Sequence, residues 1–497
     1  MCGISGTNTE AIVNITTRQE HRGPDNTTTL DFNGFSFGHN RLSILDLSDN
    51  SNQPVDTGRY IFTYNGEIYN FKDFGNYASD TLMLKDQIEK NGLTENLLRS
   101  FNGMFALAVW DKEHHVLKIA VDPFGQKPVY YFHEGENFSF ASNPSSLTCL
   151  KDKWDIDPEG LESLFVLGSV IGERSLFKGI KRLMGSYILT FIDDKITVSK
   201  WWDTEPKTCS NIQELVYDSI DKVKVSDVPI HIFLSGGIDS SLVASRFKGG
   251  NAIHLDSEEL SFAKLAAKKN DIELQVCPVV FDKEKNLIEY ATRTGDCAMS
   301  AIQPFIVTEQ IKRFGKVAIT ANGADELFYG YPRTTNGQLR HIFRPGYEKY
   351  LSELKEKFNM NTEREIELRA YVQHDLNKTL DFAAMCNSVE VRSPFLDTRL
   401  VNASLAISHK EHTQKLGAKS ILKQMLLDQG YNSSFIQRPK LGFSLPKQNH
   451  NKEFDWCCKN GFLKQDWKNW NGRDNSYISA TAASFYYWYK AWKHKLN

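Results

Sequence analysis

Ile230-His-Ile-Phe-Leu-Ser235-Gly-Gly-Ile-Asp-Ser-Ser241 is the stretch on which the fold reading turns. Five mostly apolar residues, 230–234, read as a buried strand, and residues 239–247 that follow the glycines read as a helix. Upstream lies a helical pattern over 212–224. Downstream the alternation continues: strand 252–255, helix 258–269, strand 273–277, helix 304–314 and strand 317–320. Strands that alternate with helices at this spacing predict a doubly wound parallel sheet. The glycines in Ser235–Ser241 let the backbone approach phosphate closely, and the N–H groups at a helix start favour an anion. Asp239 supplies a carboxylate able to hold Mg²⁺ between phosphates. No Lys follows the glycines, so this is not the phosphate loop of kinases and GTPases.

On either side of this unit the pattern changes. Residues 1–200 carry short alternating or apolar runs such as Phe35–His39, Arg59–Tyr64, Phe105–Trp110 and Val116–Val121, separated by Gly-, Asn-Gly- and Asp-Pro-containing turns. That predicts a strand-rich α+β domain. The polar, breaker-containing Asp203–Ser210 puts the boundary near 205, giving domains 1–205 and 206–497. Beyond Gln338 the sequence reads as nearly all helical, ending in an aromatic helix, Ala480–Trp492, docked on the core.

The 497 residues hold 59 Lys+Arg against 61 Asp+Glu, a formal charge of −2, with 41% hydrophobic residues. Near-neutrality argues against a nucleic-acid partner, and the apolar fraction excludes dominant disorder. No apolar run reaches the length of a membrane span, and Met1-Cys2-Gly3-Ile4 is no signal segment, so a cytoplasmic protein without a membrane partner is expected. Eight scattered cysteines show no disulfide or zinc spacing. Cys2 stands apart by position. Once Met1 is removed, its own α-amine, with a solution pKa near 7.7–8.0, becomes a base for its thiol.

The motifs Met1-Cys2-Gly3-Ile4, Arg22-Gly-Pro-Asp25, His39–Asp46, Gln53-Pro54, Asn65-Gly-Glu-Ile-Tyr-Asn70, Asn102–Ala106 and Asp122-Pro-Phe-Gly125 resemble a class II glutamine amidotransferase domain. Ser235–Ser241, Gly323-Ala-Asp-Glu-Leu-Phe328, Val389–Asp397 and Arg438-Pro-Lys-Leu-Gly-Phe443 resemble the synthetase domain of glutamine-dependent asparagine synthetases. This resemblance implies an αββα sandwich of the N-terminal nucleophile hydrolase type, followed by the parallel-sheet unit with a helical C-terminal part.

It implies roles as well. Cys2 would attack glutamine, held by Arg41 at its carboxylate, by Asp80 at its ammonium, and by Leu45 and Glu67. Asn65 and the Gly66 N–H would form the oxyanion hole. Read without the family, Asn65-Gly66 is a hairpin turn, Asp80 the N-cap of a helix over 81–90, and Lys419 a residue on a solvated helix face. ATP would lie on Leu234, Ser235, Gly236, Gly237, Asp239, Ser240, Leu255, Thr320 and Ala321, with Lys419 and Lys440 neutralising pyrophosphate. Asp239 and Asp325 would hold Mg²⁺, and Glu326 would accept a proton as ammonia attacks an acyl-adenylate. Asp296, Ser300 and Asn322 would meet the acceptor. Glu390 and Arg392 read as a structural ion pair.

The resemblance implies synthesis of asparagine from aspartate, with small-molecule substrates and the homodimeric state left open. Several positions depart from the family pattern. Thr320-Ala-Asn-Gly323 stands for Ser-Gly-Glu/Asp-Gly, so Asn322 replaces a carboxylate and the acceptor stays open between aspartate and another small carboxylate such as a sugar acid. Tyr329 stands where glycine is common, and Val121 where arginine is.

Overall fold

Two antiparallel six-stranded sheets form the N-terminal unit in the computed structural model, which describes residues 2–331, 347–358, 363–438, 449–463 and 475–497. The first sheet contains β1 (Gly3–Thr7), β2 (Asn26–Phe32), β3 (Phe35–Arg41), β8 (Val129–Glu134), β9 (Asn137–Ala141) and β10 (Lys181–Leu183), ordered β10-β8-β9-β1-β3-β2. The second contains β4 (Val55–Asp56), β5 (Tyr60–Ile68), β6 (Gly103–Asp111), β7 (Val116–Val121), β11 (Tyr187–Ile192) and β12 (Lys195–Lys200), ordered β12-β11-β7-β6-β5-β4. Ile4, Phe37 and Phe140 of the first sheet share a buried core with Ile61, Ala106, Ile119 and Leu189 of the second. Helix Ile12–Thr17 covers the outside of the first sheet, where Thr16 Oγ1 meets Ser5 Oγ at 2.9 Å. Helix Asp80–Asn91 buries Met83, Leu84 and Ile88 against Tyr60, Phe62 and Tyr64 of β5. The result is the αββα sandwich.

The second unit holds a five-stranded parallel sheet, ordered β15-β14-β13-β16-β17, from β13 (Ile230–Phe233), β14 (Asn251–Leu255), β15 (Glu273–Cys277), β16 (Val317–Ile319) and β17 (Glu390–Arg392). Its central strands are the ones the sequence alternation marks. β17 is the strand that the nearly all-helical reading beyond Gln338 did not mark: three residues are too few to show a strand period, and only pairing with β16 makes them a strand. Residues Glu367–Asn377 form a π-helix whose Gln373 and Asn377 side chains bond the carbonyls of Pro123 and Phe124 in the first unit. The aromatic C-terminal helix, Asn475–Trp492, buries Phe485, Trp488 and Trp492 among Trp154, Phe165 and Phe177.

Buried charges cross between the units. Arg22 pairs with Asp381 at 2.9 Å, and Lys127 lies 3.5 Å from the same carboxylate. Arg392, fully buried, bonds Glu390 at 2.6 Å, as read from the sequence, and also reaches Glu67 of β5 at 3.3 Å.

Candidate active sites

Cys2 enters the first pocket at the head of β1, and Arg22 Nε donates to its carbonyl at 3.0 Å. Burial pushes its thiol up, while the positive amino terminus, the Leu42 N–H and Arg41 pull the other way. A thiol in that position stays protonated until a base takes its proton, which matches the demand for an adjacent amine. The Cys2 backbone N donates to Asn65 Oδ1 at 2.8 Å. That fixes the amide so that Asn65 Nδ2 is buried without a partner, a donor with nothing to donate to. An unsatisfied buried donor costs about 1–3 kcal/mol and calls for an explanation.

Asn65-Gly66 is not a hairpin turn. It lies inside the nine-residue β5, with Gly66 opposite Phe105. A side chain at Gly66 would place Cβ 2.0 Å from the Met104 carbonyl oxygen, so backbone crowding, not turn formation, demands the glycine. Among the described residues, Asn33-Gly34, with both φ angles positive, is an Asn-Gly that does form a two-residue hairpin, between β2 and β3.

Arg41 is 5% exposed and its fork donates to the carbonyls of Ser48 (2.6 Å), Asp46 and Leu45 and to Asn52 Oδ1 (2.7 Å). No carboxylate is among these partners, so the guanidinium keeps an attraction for one. Asp80 does not cap its helix, because Ser79 does. Asp80 Oδ2 instead accepts from Tyr64 Oη at 2.8 Å and Ile68 N at 3.0 Å, and burial raises the carboxyl. Burial, with the charges of Glu390 and Asp80, also raises Glu67 well above its ordinary range, against Arg392. Cys2, Arg41, Leu45, Gly66, Glu67 and Asp80 line one pocket.

A cavity of about 690 Å³ opens at the carboxyl ends of β13, β14 and β16. Leu234, Ser235, Gly237, Asp239, Ser240, Leu255, Ser300, Thr320, Ala321, Asn322, Asp325 and Lys419 line it, where open parallel sheets bind ligands. Lys419 is 7% exposed, which overturns the solvated-face reading. Its Nζ lies 2.5 Å from Asp239 Oδ2 and 2.6 Å from Asp325 Oδ1. Two carboxylates that already share one cation form a donor set that suits Mg²⁺. Glu326, buried beside Asp325, has its carboxyl raised to about 7 by burial and then by the Asp325 charge, and Tyr331 Oη donates to it at 3.0 Å. Thr320 Oγ1 donates to Asn322 Oδ1 at 3.1 Å.

Three expected residues do not line the cavity. Asp296 is buried and paired with Lys378 at 2.9 Å, so its charge is already neutralised. Gly236 turns its backbone against Ala263, and its carbonyl accepts from Arg438 Nη2 at 2.5 Å. Glu326 sits behind Asp325. Lys440 lies outside the described residues.

The sequence reading missed Arg438, Lys423 and Asp375, all of which line the cavity. Arg438 stacks on Phe262 with 3.7 Å to the ring centroid and pairs with Glu259 at 2.9 Å. Its place beside Pro439-Lys440 was the available signal. Asp375, on the π-helix and bonded by Ser300 Oγ at 2.8 Å, carried none. Tyr329 takes φ +55° and packs under the Arg364 guanidinium, so the position does use left-handed backbone.

The family model for a glutamine amidotransferase domain matches residues 1–202, and that for asparagine synthase matches residues 211–465. The chain belongs to the asparagine synthase family. Asparagine synthetase [glutamine-hydrolyzing] 3 of Bacillus subtilis (strain 168) is 27% identical, covering 86% of this chain and 84% of its own. Putative asparagine synthetase [glutamine-hydrolyzing] 2 of Methanocaldococcus jannaschii is 29% identical over 69% of this chain and 78% of its own. Among solved structures, a B. subtilis glutamine phosphoribosylpyrophosphate amidotransferase covers 66% of this chain and 77% of its own at 12% identity and a TM-score of 0.31. As an asparagine synthase family member the chain is a carbon–nitrogen ligase that uses ATP and small substrates, built on a glutamine amidotransferase domain. No helix among the described residues is long and apolar enough to cross a membrane.

Proposed function

We propose that this enzyme hydrolyses glutamine at Cys2 and uses the ammonia to convert aspartate to asparagine, at the expense of ATP, with domains that meet near residue 205. The unpartnered Asn65 Nδ2 carries the glutaminase half. Cys2 Sγ, freed of its proton by the α-amine, adds to the side-chain carbonyl of glutamine. Asn65 Nδ2 and the Gly66 N–H receive the oxyanion, ammonia leaves, and water hydrolyses the thioester through a second oxyanion. Arg41 and Asp80 hold the two ends of the amino acid.

In the cavity the Ser235–Ser240 loop cradles ATP phosphates, with adenine against Leu234 and Leu255. Mg²⁺ on Asp239 and Asp325 would neutralise phosphate charge. Aspartate's β-carboxylate attacks the α-phosphorus and pyrophosphate departs, its growing charge met by Lys419 and Lys440. Ammonia then attacks the acyl-adenylate, AMP leaves, and Glu326, raised to about 7 and reached only once the bound substrates open the cavity past Asp325, takes the proton that the new amide must shed. Both relatives are named for asparagine synthesis, which supports aspartate.

Asn322 favours a second reading, in which the same two half-reactions amidate a sugar acid or another small carboxylate. Asp296, another expected acceptor contact, is ion-paired with Lys378 and does not line the cavity. Purified enzyme given ATP, Mg²⁺, glutamine and a panel of carboxylates decides between them. Asparagine formation with aspartate is expected, and turnover of another acid without it refutes the aspartate assignment.

A further inference from the structure

We propose that Lys419 is the resident counter-ion of the Asp239/Asp325 pair, and that a divalent cation enters only as Lys419 leaves for the phosphate side, so that metal binds with the nucleotide and not before it. The proposal rests on the assignment of Asp239 and Asp325 as the metal ligands. Three observations carry it. The Lys419 ammonium bridges the carboxylates at 2.5 and 2.6 Å, where a cation they share would sit. Its backbone is held independently of its side chain. Lys419 takes φ +59° at the head of helix Ser420–Asp428, and its N–H donates to the Phe328 carbonyl at 3.0 Å. Finally, Gly330 closes over the bridge: a Cβ there would lie 1.9 Å from Asp325 Oδ1 and 2.3 Å from Lys419 Cε.

The electrostatics make the two occupants exclusive. A divalent ion beside an ammonium within about 4 Å in a partly dry site meets a repulsion well above thermal energy. Metal entry therefore requires the four-carbon stem to swing away while the Cα stays fixed. Without a new partner the ammonium would leave two carboxylates for bare solvent. The phosphates of ATP supply that partner on the loop side of the same cavity, where Lys423 also faces. Nucleotide thus releases the lysine that guards the metal site, and a cation alone does not. The lysine lowers the apparent metal affinity by the fraction of time it is away, so an open fraction of about one tenth is a tenfold effect.

The test uses the whole protein, Mn²⁺ as probe, and an ATP analogue with a methylene bridge between the α- and β-phosphorus, read by the electron paramagnetic resonance of free Mn²⁺. Wild type is expected to take up Mn²⁺ tightly only with the analogue present. Lys419→Met, and separately Lys419→Gln, should bind Mn²⁺ without the analogue at least about tenfold more tightly than wild type. Mn²⁺ alone should also raise their melting temperatures and leave that of wild type unmoved. Combining Lys419→Met with Asp239→Asn should erase the gain. Equal Mn²⁺ affinity of wild type and both variants without the analogue overturns the counter-ion role. Failure of wild type to bind Mn²⁺ even with the analogue overturns the metal assignment beneath it, so the two failures are distinguishable.

Discussion

Glu326→Gln should move activity and stability in opposite directions, and the stability gain should depend on pH in a way only a buried, raised carboxyl produces. Glu326 is 1% exposed in the short helix Ala324–Leu327, and burial, then Asp325, lifts its carboxyl from an ordinary 4.5 to about 7. The folded protein therefore keeps this proton to higher pH than the unfolded chain does. Its contribution to stability is whole below the unfolded value and is lost as pH rises through about 7. At about 1.4 kcal/mol for each pH unit, the ionised carboxylate at pH 8 costs the fold roughly 3 kcal/mol. Glutamine mimics the protonated acid at every pH and keeps an oxygen for Tyr331 Oη. The variant should match wild type near pH 4, below the unfolded value, and exceed it at pH 8 by roughly 5 °C in melting temperature, for a domain of about 290 residues. Thermal unfolding of both proteins at the two pH values is the assay. The same variant should still release pyrophosphate from ATP and acceptor, yet form almost no amide from ammonia. An equal stability change at both pH values refutes the raised carboxyl, and normal amide formation refutes its role as base.

Cys2→Ala should abolish amide formation driven by glutamine and preserve that driven by ammonium chloride; loss of both would mean the two chemistries do not separate. Asn65→Asp keeps an acceptor for the Cys2 N–H and removes the Nδ2 donor, so glutaminase turnover should fall about 10²–10³-fold with no change in ammonia-driven synthesis. Retention of glutaminase within a factor of a few would exclude the oxyanion role. Asp239→Asn should remove ATP-dependent pyrophosphate release and leave glutamine hydrolysis measurable; unchanged release would refute the loop assignment.

The parallel sheet was legible because its central strands are short apolar runs punctuated by glycine, and such runs carry their own signal. β17 was not, because three residues hold no period and become a strand only beside β16. At single positions local chemistry misled. Asn65-Gly66 has the strongest short hairpin signature, yet its neighbours across β6 decide that it lies mid-strand. Lys419 reads as any lysine near a helix until the fold places it between two acids from elements 180 and 94 residues away in sequence. Asp296 failed for the converse reason: a carboxylate near the cavity in sequence is spoken for by Lys378, and a pairing 82 residues apart leaves no local trace. Periodicity reports elements; partners at long range decide which charges remain for a ligand.

That same long-range pairing bears on how the two pockets are held together. Arg392 bonds Glu390 on its own strand, reaches Glu67 in the first pocket, and donates to the carbonyls of Val223 and Val225 at 2.8 and 2.6 Å. Its own carbonyl accepts from the N–H of Thr320, which lines the second cavity. Arg22 does the like, holding the Cys2 carbonyl with one nitrogen and Asp381 with another. Taking such charges out of water is expensive, and removing one partner of a buried pair costs about 3–5 kcal/mol, so separation of the domains would strand several at once. Hydrophobic contacts at the interface would resist separation equally well, but they would tolerate sliding. Directional bonds from a planar guanidinium do not. The directional bonds that cross the seam are those of Arg22, which ties the Cys2 carbonyl to Asp381, and Arg392 adds an ion pair to Glu67 at 3.3 Å, so the first pocket is held against the second unit more tightly than apolar packing of the same area could hold it.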